Sequence, residues 1–161
     1  MQRAERTNFM NRCLTILSDS LDKKIDILKR IQKYNDNQEK AFSDTTPDMD
    51  SFDQALEEKE KLIQEVLKLD QGFEALYEKV KAELEQNRAA YKEQIAELQC
   101  KITVITELSN AVQAKEARNK KLIEQYFAKQ KKNIKQSRQR SKVAYGYQQN
   151  MSSQNGGSYT V

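Results

Sequence analysis

A chain of 161 residues with 37 % hydrophobic and 32 % charged side chains, only four Gly, one Pro and no Trp fits long helices better than a compact globule. Its formal charge of +4 is unevenly spread: 11 of the 28 Lys and Arg, but only two of the 24 Asp and Glu, fall in residues 111–161, so the first two thirds are acidic and the end is basic. It has no His, no nucleophile elbow, no phosphate loop, no dinucleotide fingerprint and no zinc-protease helix motif, which sets enzyme chemistry aside.

Residues 1–7 read as a frayed polar start, with Thr7 or Asn8 as the cap of the first helix. Met10, Leu14, Leu17, Leu21, Ile25, Leu28 and Ile31 then recur at helical spacing, flanked by Cys13 and Ile16, and predict a helix at about 8–42. Residues 43–50 (SDTTPDMD) punctuate the chain, because Pro47 disfavours helix at the residue before it and Asp, Ser and Thr bond local backbone. Asp50 or Ser51 is the expected cap of the second helix, Ser51 forming a capping box with Gln54.

The second helix carries Phe52, Leu56, Lys59, Ile63, Val66, Asp70, Phe73, Tyr77, Val80 and Leu84, an alternation of four and three close to a heptad repeat. Lys59 and Asp70 interrupt it and are placed at the wet edge of a loose seam, the alternative being that they fix register. Gly72 weakens the same helix. The pattern slips at residues 85–90 (EQNRAA), where a corner is expected, giving three antiparallel helices; a stutter there would instead leave one long rod.

Residues 89–140 hold neither Pro nor Gly and place Tyr91, Ile95, Leu98, Ile102, Ile105, Val112, Ile123 and Tyr126 on one stripe of a third helix, about 75 Å long, around which the rest is expected to pack. Helical signals fade from Val143, with Gly146, Gly156 and Gly157 among Ser, Gln and Asn. The predicted fold is all-α: an elongated antiparallel helical hairpin or three-helix coiled-coil-like bundle over residues 1–142, followed by a disordered tail over residues 143–161.

The lengths do not match. A first helix of about 50 Å leaves about 25 Å of the third projecting past it. Leu122, Ile123, Tyr126, Phe127 and Ile134 fall in that overhang, ringed by Lys120, Lys121, Lys129, Lys131 and Lys132, so this is the candidate partner-binding surface. Pattern alone leaves open whether a different protein or a second copy, in a homodimer, covers it. Nucleic acid is not expected, since no recognition motif accompanies the basic end, and neither is membrane insertion, since no apolar run nears 20 residues. Cys13 and Cys100 have no Cys or His nearby, so no metal and no cofactor are expected, and free thiols imply a reducing compartment. Without an apolar signal segment at its start, the chain is expected in the cytoplasm.

The order of these features resembles the FlgN-type family of bacterial flagellar type III export chaperones. The resemblance rests on a first amphipathic helix, a short polar loop, ALEEKEKLI at residues 55–63, RNKKLI at residues 118–123 late in a long third helix, and AYG at residues 144–146. It covers residues 10–147 and implies a cytoplasmic chaperone that holds the helical end of hook-associated, hook–filament junction substrates, with export-gate components as further partners. It implies substrate binding at Leu122, Ile123, Tyr126, Phe127 and Ile134, while Tyr145 matches the family's terminal Tyr-Gly with no role attached. A structural coiled-coil scaffold acting through homo-oligomers is the alternative. Truncation after Asn119 is expected to leave the hairpin folded and abolish capture.

Overall fold

The computed structural model describes residues 2–43 and 46–145, and the side chains of these as far as Gln139. Three helices make up the described chain: α1 (Gln2–Ala41), α2 (Met49–Gln86) and α3 (Lys92–Tyr145). The all-α expectation holds, and residues 85–90 do contain a corner. Asn87 closes α2, its backbone N–H and side-chain amide both donating to the Glu83 carbonyl, and its own carbonyl accepts from Ala90 and Tyr91 to turn the chain. The last described residue lies three beyond the expected end of the helical domain at 142; residues 146–161 of the expected tail lie outside the described residues.

Helix boundaries moved where caps decide them. Thr7 does not cap α1: it lies within the helix and donates its hydroxyl to the Arg3 carbonyl. Asp48, not Asp50 or Ser51, caps α2, accepting the Ser51 N–H at 3.1 Å directly after Pro47. Asp50 instead adds negative charge to the first turn, where the helix dipole favours it.

The central helix is α1, a correction to the expectation that the third helix organises the chain. Both α2 and α3 pack along α1, while among the described residues no Cα of α2 comes within 8 Å of one in α3. The cause is that α1 buries more than one stripe. Met10, Leu14, Leu17, Leu21, Leu28 and Ile31 form its heptad seam, and Cys13 and Ile27 widen it so that two neighbours fit. Ile16 does not join them and is exposed. Among the described residues of α3, the buried apolar ones are Leu98, Ile105 and Ile123, a stripe that needs α1 to cover it.

Side-chain pairs fix the registers. α3 runs parallel to α1, linked at a nearly constant offset from Ser18 with Glu97, through Asp22 with Lys101, to Asn35 with Asn119 and Glu39 with Lys115. α2 runs antiparallel to α1, through Arg6 with Glu83, Lys24 with Asp70 and Asn35 with Lys59. The apolar core is therefore long and thin. Its larger part runs from Met10 and Val80 to Ile31 and Leu62; a small second cluster of Ala41, Phe52 and Ile123, with Phe42 and Met49 against it, closes the far end.

A polar layer separates the two clusters. Lys59, 1 % exposed, donates to Asn35 Oδ1 and to Glu116 Oε1, each at 2.7 Å. Asn119 Nδ2 donates to the Asn35 carbonyl at 2.9 Å, and Gln38 Nε2 to the Phe52 carbonyl. The expectation of a wet edge is met at Asp70, which is half exposed and paired with Lys24, but overturned at Lys59. A carboxylate on α3 and an amide on α1 replace the water that its ammonium loses, which is what allows a lysine to be buried.

Candidate docking helix

The five residues expected to bind a partner separate into three groups along α3, and Tyr145 stands apart from them. Ile123 is 2 % exposed, packed with Ala41 and Phe52, so the expectation that it lacks company within the chain is wrong. The parallel offset carries Ile123 level with the end of α1, where the turn into α2 covers it. Leu122 and Tyr126 are half-buried beside it, and the Tyr126 ring meets Phe42 edge-on at 5.7 Å and Phe127 at 5.5 Å. Phe127 and Ile134 are exposed, at 37 % and 51 %. Tyr145 is the last residue of α3, and its side chain lies outside the described residues.

Beyond Tyr126 the helix leaves the bundle. Every residue from 127 to 139 is exposed, and α3 continues to Tyr145. Residues 127–145 at 1.5 Å each project about 28 Å, close to the overhang expected from helix lengths.

The charges of α3 divide at the same point. Lys101 lies 2.9 Å from Asp22 and 3.1 Å from Glu97, and Lys115 lies 3.0 Å from Glu39 and 3.2 Å from Asp36. The hydrogen bond Lys101 donates to Asp22 raises its pKa above the usual range, and those Lys115 donates to Glu39 and then Asp36 raise Lys115; Glu97 is lowered, by the bond it accepts from Lys101 first and from Ser18 second. Burial lowers Lys59, with Glu116 opposing it. By contrast no carboxylate lies within 4 Å of Lys129, Lys131, Lys132, Lys135 or Arg138 among the described residues.

Asn35 and Gln38 were not expected to matter, although a signal was present. Asn35 and Gln38 continue the α1 seam after Leu28 and Ile31, so two polar residues stand where apolar ones belong. Among the described residues no group of three or more His, Cys, Asp or Glu could hold a metal ion, and no helix is long and apolar enough to cross a membrane.

Fold and site together define an elongated three-helix bundle that extends one basic helix past its own core, an architecture for presenting a surface. The chain belongs to the FlgN protein family, whose model matches residues 10–153, taking in α2, α3 and α1 from Met10 onward. FlgN proteins are flagellar export chaperones, a chaperone family and not an enzyme family. No curated protein and no solved structure matches the chain.

Proposed function

We propose that this chaperone works in the cytoplasm and takes the helical terminal segment of a hook-associated, hook–filament junction protein onto the projecting part of α3 before type III export. One observation carries the reading: α3 holds its helical course for about 28 Å beyond Tyr126, with every residue from 127 to 139 exposed, in a chain of the FlgN family. Phe127 and Ile134 are the apolar contacts of the proposed site, with Leu122 and Tyr126 at its base. Ile123 supports that base from within the core. Tyr145 lies at the far end and receives no role.

The mechanism is masking. The apolar face of an unassembled terminal helix is the surface through which subunits polymerise, and laying it on α3 hides that face until export. Burying about 600 Å² of apolar surface contributes up to about 15 kcal/mol gross at 25 cal/mol per Å². Association and ordering costs cancel much of this, leaving a micromolar to nanomolar complex.

Because Ile123 closes the small upper cluster, the informative cut falls after Tyr126 and not after Asn119. The chain ending at Tyr126 should keep its helical signal and cooperative melt, and bind a peptide from the C-terminal helix of a hook-associated protein at least about a hundredfold more weakly in calorimetry. Equal affinity of the cut and full chains would move the site off the overhang. An obligate oligomer in ultracentrifugation, with no affinity for such peptides, would favour the scaffold.

A further inference from the structure

Resting on that reading, we propose that the partner α3 accepts is an acidic amphipathic helix, with apolar residues one heptad apart and carboxylates along one flank. At about 100° per residue, Ile134 stands within about 20° of Phe127 around the helix. Lys131, Lys135 and Arg138 all lie within about 80° of that line on one side, and the neutral Gln130 and Ser137 within about 80° on the other. Two apolar positions seven apart with charge on one flank are the elements of a helix–helix seam, in which flanking charges select the partner.

Charge complementarity points to the sign. Within the bundle Lys24, Lys59, Lys101 and Lys115 each meet a carboxylate on another helix, whereas among the described side chains, which end at Gln139, no base on the overhang does so. The carboxylates that would match them are therefore expected on the partner. Seven bases, Lys129, Lys131, Lys132, Lys135, Arg138, Arg140 and Lys142, are spread over a rod about 28 Å long, sparse against duplex nucleic acid with about one charge per 1.7 Å. Two exposed apolar side chains are too few to hold a helix in a lipid interface.

The test uses the full chain and three synthetic helical peptides of about three heptads with identical apolar positions, bearing Glu, Gln or Lys on one flank. In fluorescence anisotropy at low salt, the Glu peptide should bind at least about tenfold tighter than the Gln peptide and more than that over the Lys peptide, with the gap closing at high salt. The Lys131→Gln, Lys135→Gln, Arg138→Gln triple variant should lose this gap and keep the affinity for the Gln peptide. Equal binding of all three peptides would overturn the acidic partner while leaving helix docking on α3 intact. A preference for Glu that survives the triple variant would place the acidic contact elsewhere. Tighter binding of an RNA oligomer or of phosphatidylserine vesicles than of the Glu peptide would also overturn it, as would salt-sensitive self-association through the acidic part of a second copy. Loss of every peptide would take the docking reading down as well.

Discussion

Glu116→Ala should destabilise the chain more than Lys59→Met, although Glu116 is the more exposed partner. The side chain of Glu116 is 21 % exposed and that of Lys59 only 1 %. Removing Glu116 leaves a buried ammonium with Asn35 Oδ1 as its one remaining acceptor. Breaking a buried pair in this way costs about 3–5 kcal/mol, and the opening at the Glu116 side, which admits water, puts this case near the lower bound. Lys59→Met keeps the aliphatic volume and lets Glu116 turn to solvent, so its main cost is the unpaired Asn35 oxygen, about 1–2 kcal/mol. Adding Lys59→Met to Glu116→Ala should then recover stability. Urea unfolding followed by far-UV circular dichroism measures all three variants against a total of about 5–15 kcal/mol. The pH dependence gives a second check. Burial holds the Lys59 pKa below its ordinary value of 10.5, so the unfolded chain binds that proton more tightly than the folded one. Stability from this group therefore rises with pH between the lowered value and the ordinary one. Without Glu116 the window opens at lower pH, and the Glu116→Ala deficit should shrink as pH rises below the ordinary lysine value of 10.5. A larger loss from Lys59→Met than from Glu116→Ala, or a deficit that grows with pH, would refute the claim that this ammonium is held dry.

Gly72 lies exposed in the middle of α2, and a methyl group there would meet nothing within 4 Å. Gly72→Ala should stabilise by about 0.5–1 kcal/mol and raise the melting temperature by about 1–4 °C in calorimetry; a fall would mean that α2 bends there. Cys100 is exposed and Cys13 buried. A maleimide should modify Cys100 in the folded protein and Cys13 only in denaturant, as read by mass spectrometry of tryptic peptides. Equal native rates would show the Cys13 end of the core to be open.

Helix number, the break at Pro47, the corner at residues 85–90 and the length of the overhang were all legible in the sequence, because each depends on local periodicity or on chain arithmetic. The central place of α1 was not. Periodicity marks which residues are apolar, not which helix they meet, and the longest stripe need not be the most enclosed. Lys59 was misplaced for a related reason. A lysine at a seam position either extends to water or finds a carboxylate, and Glu116, which decides the matter, is 57 residues away in sequence. Ile123 and Phe127 are four residues apart on one helix, yet one is sealed in the core and the other is exposed. The difference lies in where α1 ends, which depends on the offset between two parallel helices and not on anything local to the pair.

That offset explains why one helix can serve both core and overhang. Counting in sevens along α3, Leu98, Ile105, Val112, Asn119 and Tyr126 are followed by Asn133, and Ile123 is followed by Gln130 and Ser137. The seam that faces α1 thus becomes polar within one heptad of the point where α1 stops. The apolar positions that continue, Phe127 and Ile134, sit on a neighbouring line, rotated about 100° from that of Tyr126. A second copy packing along α3 as α1 does would meet Asn133 and Gln130 where it needs apolar side chains, a mismatch of the kind that separates coiled-coil partners. The change of stripe at Tyr126 therefore works against extending the bundle by its own rule, and leaves the rotated stripe with its basic flank for a helix of different sequence.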